Sequence, residues 1–189
     1  GGLNSRYIAS VRPDLVASVT SVATPHFGSE AADNIQGSIL EGTTVMLGNL
    51  VGSILAGISG DSDQVSNTLA SLGSLNIASA LAYNKQHPAG LRQGECQDTP
   101  SVNTGSWWWP NYVKDYSVND GPHEVDGIRY YSWTGTYTPY WDSNPIDPVD
   151  ALFAFTYHLN SEANDGLVGR CSSHMGQVIR DDYTLNHGD

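Results

Sequence analysis

The chain has 189 residues, 39% of them hydrophobic and 10% aromatic, which suits one globular domain with a sizeable core. Its formal net charge of −12 argues against a nucleic-acid partner, whose phosphates need a basic surface, and its 8 lysines and arginines offer little to an anionic membrane. No stretch reads as a signal peptide, and no apolar run is clean enough to span a membrane.

In chain order, the first segment is a helix. Residues 3–11 place Leu3, Tyr7, Ile8 and Val11 on one helical stripe, and Pro13 stops it. The run from Leu15 to Ala23 is short, apolar and rich in β-branched residues, so it reads as a buried strand. It empties into Thr24-Pro25-His26-Phe27-Gly28-Ser29, a functional-looking loop. Helix, buried strand and loop in this order are the grammar of a parallel α/β sheet. Residues 38–60 are rich in Gly, Ser and Leu, and Leu47, Leu50, Val51, Ile54, Leu55 and Ile58 form an amphipathic helical face. Gly48, Gly52 and Gly57 soften that helix by up to about 1 kcal/mol each. A glycine-softened apolar face suits a closely packed core helix or a mobile lid.

A third helical stretch, with Leu69, Leu72, Leu81 and Tyr83 among its apolar positions, runs to about Asn84 and stops before Pro88. Residues 93–127 read as loop. They contain Trp107-Trp108-Trp109, rigid aromatics that either pin this loop to its own domain or anchor a partner or lipid surface. Arg129 to Gly135 is a strand ending in a turn. A helix follows through Phe153, with Asp147 as N-cap and Pro148 at its first position. Gly176 to Arg180 is a last strand leading to His187.

The chemistry gathers at the end of the chain. Asp165 sits in Asn164-Asp165-Gly166, which is turn chemistry, and His187 follows the last strand. An acid, a strand and then a histidine match the Ser…Asp/Glu…His order of α/β-hydrolases. In that reading His187 is the general base and Asp165 fixes its tautomer. The chain contains no Gly-x-Ser-x-Gly, so the nucleophile is not supplied by that motif. Asp147 and Asp189 are carboxylates suited to calcium, and Asp189 stands two residues past His187. Their plain alternatives are a helix cap and a solvated terminus. Cys96 and Cys171 are spaced for neither a metal pair nor a redox motif. They form either a long-range disulfide or two buried thiols.

A resemblance adds to this reading. Arg6-Tyr7-Ile8-Ala9, Leu15 to Ser21, Thr24 to Ser29, Tyr131-Ser132-Trp133-Thr134-Gly135, Asp147-Pro148, Asn164-Asp165-Gly166-Leu167-Val168, Cys171-Ser172-Ser173 and Asn186-His187 keep their order along nearly the whole chain. Together they resemble the secreted bacterial triacylglycerol lipases of the Pseudomonas–Burkholderia type.

The resemblance implies an α/β-hydrolase fold: a mostly parallel sheet flanked by helices, with a lid over 34–60. Residues 1–189 would be the C-terminal part of one such domain. It implies Asp165 as triad acid, His187 as triad base, Asp147 and Asp189 as side-chain ligands of a structural calcium, and a Cys96–Cys171 disulfide. Gly1-Gly2 look like the end of a Gly-His-Ser-(Gln/His)-Gly-Gly elbow, which places the serine two positions ahead of Gly1. On this view the sequence is a fragment without that serine and without the C-terminal helix, and is inactive alone.

The implied partners are an acylglycerol at a lipid–water interface, the N-terminal segment with the serine, and a lipase-specific foldase met during export through the periplasm. Two features depart from the family pattern. Gly188 stands where a leucine is usual, and the Trp107–Trp109 loop looks inserted. Two other functions remain compatible with the residues: an esterase for soluble short-chain esters, and a non-catalytic, calcium-stabilised secreted module whose aromatic loop binds a surface.

Overall fold

The computed structural model describes residues 1–40, 68–94, 96, 102–103, 108, 112–113, 121–136 and 148–188. Helix α1 (Gly2–Val11) leads through a 310 turn (Pro13–Leu15) into strand β1 (Ser18–Val22). Three helices come next: α2 (Glu30–Leu40), α3 (Thr68–Leu75) and α4 (Ile77–Gln86). The short strands β2 (Val102–Asn103) and β3 (Tyr112–Val113) pair antiparallel. Strands β4 (Glu124–Val125) and β5 (Ile128–Gly135), helix α5 (Pro148–Tyr157), a 310 turn (Cys171–Ser173) and strand β6 (Gln177–Tyr183) complete the described chain.

The main sheet is built on β5. β1 runs parallel to it with Val19 opposite Tyr130 and Ser21 opposite Ser132. β6 runs parallel to its other edge from Tyr131 onward, and β4 turns back antiparallel on Arg129 and Ile128. The sheet is thus mostly parallel and flanked by helices, an α/β fold. The β4–β5 turn is made by Asp126 (φ 53°) and Gly127 (φ 77°). Two left-handed residues in a two-residue turn match the right-handed twist of the strands, and Asp-Gly adopts that conformation at little cost.

Alternate residues of β5 face inward, and Tyr130 and Ile128 join Val19, Ala9 and Met175 in one buried cluster. A second cluster, of Ala32, Ile35 and Leu72, joins α2 to α3. Each large apolar side chain so buried contributes roughly 1.5–3 kcal/mol.

Three expectations change here. The apolar stripe of α1 is not its buried face: Tyr7, Ile8 and Val11 are half exposed, whereas Arg6 and Ala9 are buried. The helical stretch over 69–84 is two helices, because Asn76 leaves helical geometry and its Oδ1 accepts from Ser79 N–H (2.7 Å), starting α4 afresh. Residues 102–103, 112–113 and 124–125, read as loop, are β2, β3 and β4.

Residues 34–40 of the expected lid belong to α2, with Ser29 as its N-cap (Ala32 N–H to Ser29 Oγ, 3.1 Å). Residues 41–60, including the Leu47–Ile58 face, lie outside the described residues. Of the tryptophan run only Trp108 is described, and its side chain is 78% exposed, so it does not pin the loop by burial. Cys96 and Cys171 form a disulfide with a Cα–Cα distance of 5.6 Å, which settles the open alternatives for the pair. No helix among the described residues is long and apolar enough to cross a membrane.

Candidate active site

The loop between α5 and the Cys171–Ser173 turn shapes itself around two buried side chains. Asn164 donates from Nδ2 to the carbonyls of Tyr157 (3.1 Å) and Glu162 (2.8 Å), and its Oδ1 accepts from Gly166 N–H (2.8 Å). Asp165 is fully buried, and its Oδ1 accepts from Leu167 N–H (3.0 Å) and Val168 N–H (2.8 Å). Gly166 holds φ +99°, and a Cβ there would meet Phe153 Cβ at 2.6 Å. The loop is therefore packed onto α5 as well as closed on itself.

The second carboxylate oxygen of Asp165 faces His187, with Nδ1 at 2.8 Å from Oδ2. His187 N–H also donates to the carbonyl of Asp165 (2.9 Å), so backbone and side chain fix the ring together. An ionised carboxylate only accepts, which makes Nδ1 the protonated nitrogen and leaves Nε2 with a free lone pair. Burial opposes the imidazolium, but the hydrogen bond and charge of Asp165 outweigh it and raise the pKa of His187. His187 keeps 29% of its side chain exposed, so a reactant can reach it. A buried acid and an oriented imidazole are parts suited to proton transfer.

The loop Thr24–Ser29 brackets these parts. Gly2 lies so close to Thr24 that a Cβ on it would come within 2.1 Å of the hydroxyl. Ser29 Oγ donates to the carbonyl of Leu167, inside the Asp165 loop, and Ser172 Oγ donates to the carbonyl of Gly28. Beneath them Arg6 donates to His26 Nδ1 (3.1 Å), to Asn84 Oδ1 (3.1 Å) and to the carbonyl of His87. Burial lowers the pKa of Arg6 to about 10, against the opposing influence of Tyr83 and Tyr130, which leaves it charged. Burial and then the Arg6 charge hold His26 far below its ordinary value, so it is neutral and donates from Nε2 to Ser21 Oγ (2.9 Å).

Sequence reasoning marked this loop as functional-looking but missed Arg6 and Asn84. Their signal is weak, since each is one polar residue on a helix.

A second link joins the His187 loop to α5: Asn186 Nδ2 donates to Asp150 Oδ1 (2.7 Å). Asp147 and Asp189 lie outside the described residues. Among the described residues no group of three His, Cys, Asp or Glu could hold a metal ion.

Over its whole length the chain is 38% identical to a triacylglycerol lipase of Vibrio cholerae, an alignment of 194 residues covering 54% of that protein. It is 36% identical to one from Pseudomonas fragi over 200 residues, and 38% identical to one from Burkholderia plantarii over 208. The chain is similar along its whole length to these bacterial triacylglycerol lipases. All of it aligns with each lipase, and it spans 61% of the Pseudomonas protein and 56% of the Burkholderia one. No family model matches the chain. The mostly parallel sheet agrees with the α/β fold implied for a lipase relative, and the disulfide expected from the lipase resemblance is present.

Proposed function

We propose that this chain carries the acid and base of a Ser–Asp–His triad that hydrolyses triacylglycerols. The observation that carries the reading is the Asp165–His187 pair: a fully buried carboxylate at 2.8 Å from the ring Nδ1, with Nε2 left free. The likeness to named triacylglycerol lipases supplies the substrate class. We assign the nucleophile to a serine two positions ahead of Gly1 in the longer protein. The likeness of Gly1-Gly2 to the last two residues of the lipase elbow supports this.

In the reaction, His187 Nε2 takes the serine proton as the oxygen attacks the ester carbonyl. The imidazolium, stabilised by Asp165, then protonates the leaving alcohol. His187 next activates the water that releases the fatty acid. In this reading the free N–H groups at the start of α1 would meet the charge that develops on the carbonyl oxygen.

Asp147 and Asp189 are the side chains proposed to hold a structural calcium. Hard oxygen donors suit that ion, and the Asn186–Asp150 bond supports the pairing by drawing together the segments that flank them. Calcium would brace the His187 loop, while the proton steps rest on the protein's own residues. Export through the periplasm with a foldase, and residues 34–60 as a lid, belong to the same proposal.

The test uses the longer protein that contains this chain. A serine-directed phosphonate should label it once, and His187→Ala should abolish both labelling and ester hydrolysis. Unchanged hydrolysis in His187→Ala overturns the triad. A rate that rises sharply above the solubility limit of the substrate marks a lipase, whereas saturation below it marks an esterase for soluble esters.

A further inference from the structure

The disulfide sits in an asymmetric setting. Cys96 Sγ lies 3.8 Å from His174 Nδ1, a distance across which the reduced Cys96 thiol can donate to the ring. His174 is buried, and its Nε2 faces Asp181 Oδ2 at 2.9 Å. Asp181 is held in turn by Arg170 through two bonds of 2.6 and 2.7 Å. A carboxylate that accepts from Nε2–H leaves Nδ1 as the proton acceptor turned to the sulfur. Cys171 has the opposite neighbour: its own N–H donates to Glu162 Oε2 (2.9 Å), which holds a negative charge beside that residue. Access differs as well, since Cys171 is 7% exposed and Cys96 is half buried.

Thiolates are stabilised by a cationic imidazole and destabilised by a carboxylate, and it is the thiolate that exchanges. We propose that Cys96, and not Cys171, is the sulfur through which this disulfide exchanges with small thiols and disulfides, with His174, oriented by Asp181, taking and returning its proton. In oxidation, His174 takes the Cys96 proton and the Cys96 thiolate attacks a disulfide R–S–S–R. A Cys96–S–S–R bond forms and RS⁻ leaves. Cys171, losing its proton to solvent, then attacks Cys96 Sγ and expels the second RS⁻. Two electrons pass from the protein to the external disulfide.

Reduction follows the same path backwards: an external thiolate attacks Cys96, Cys171 leaves and is protonated, and a second thiol frees Cys96. The inference holds whether or not the chain hydrolyses esters.

The experiment reduces the purified protein under native conditions, pulses it with oxidised glutathione at neutral pH, quenches with acid and maps glutathione by peptide mass. Expected is at least tenfold more mixed disulfide on Cys96 than on Cys171, and near-equal amounts when the pulse is given in urea. In Cys171→Ser the mixed disulfide should accumulate on Cys96, and adding His174→Gln should slow its formation at least tenfold. If His174→Gln does not fold, the pH dependence of Cys96 alkylation in Cys171→Ser serves instead. Its midpoint should lie below about 8.5, the value of an unperturbed thiol. Glutathione on Cys171, an even distribution in the native protein, a rate indifferent to His174→Gln, or a midpoint at or above that value each overturn the proposal.

Discussion

Asp165 commits one carboxylate oxygen to its own loop and the other to His187, so a single buried side chain sets both the shape of the loop and the tautomer of the ring. The amide of Asp165→Asn can keep the loop bonds but turns an N–H or a weaker oxygen toward His187, favouring the wrong tautomer. In the longer protein, ester hydrolysis should fall on the order of 10³–10⁴-fold, with little change in melting temperature, as steady-state kinetics and calorimetry would show.

The pH dependence follows from the same contact. His187 acts as a base only when neutral, and its pKa is raised. The acid limb of kcat/KM should therefore lie above about 6.5, the ordinary histidine value. A limb at or below that value contradicts the pairing.

Asp181 answers to acid through stability instead. Burial raises its pKa, but hydrogen bonds from His174 and Arg170 and their charges outweigh that and lower it to about 2. A carboxyl depressed in the folded state stabilises above its unfolded value, and that stabilisation is lost as pH falls from about 4 toward 2. The shift corresponds to about 2 kcal/mol. Urea midpoints measured across that window should decline in the wild type and flatten in Asp181→Asn, which starts lower because Arg170 loses its buried partner.

At the scale of elements, two glycines separate backbone conformation from packing. Gly127, in the β4–β5 turn, has φ +77° and open space around its missing side chain. Gly166 has φ +99° and Phe153 against it, with α-helix backbone at 3.0 Å. Gly127→Ala should cost only the left-handed penalty of roughly 1 kcal/mol. Gly166→Ala adds a contact that α5 must move to relieve. It should cost at least twice as much and reduce activity by displacing Asp165. Equal losses for the two variants, read from denaturant midpoints, would show that α5 yields freely.

The elements also show where sequence reasoning worked. β1, β5, α5 and β6 came through because apolar, β-branched runs and Asp-Pro starts are local signals. Asp165 and His187 were legible because turn chemistry, chain order and family resemblance coincide there. The buried face of α1 was not. Its inward residues are Arg6, Ala9 and Gly2, and the burial of Arg6 depends on His26 and Asn84, which lie far along the chain. The Asp126-Gly127 hairpin did have a local signal, but the two-residue β4 offers no alternation to frame it. The His174–Asp181–Arg170 cluster had none, because its members become neighbours only when β6 folds back beside the disulfide.

Over the whole molecule, the site depends on separate stretches of chain being held in one place. α1 is fixed from below by Arg6 and the Thr24–Ser29 loop. The Asp165 loop is fixed by α5 and Ser29, and the segment after it by the disulfide to Cys96. The His187 loop is held by its bonds to Asp165, by the Asn186–Asp150 contact to the start of α5 and by the edge contact of the His187 ring with Phe153. That contact places Pro148, preceded in sequence by Asp147, near the loop that ends in Asp189. A calcium held by the side chains of Asp147 and Asp189 would add a further tie to that loop.

In the longer protein, chelation should therefore lower the melting temperature and abolish hydrolysis together, and excess calcium should restore both. In Asp147→Ala, chelation should change neither, because the ion has already lost a ligand. In Asn186→Ala, chelation should lower the melting temperature more than in the wild type, since ion and amide then no longer share the load. A melting temperature indifferent to chelation in the wild type would refute the metal.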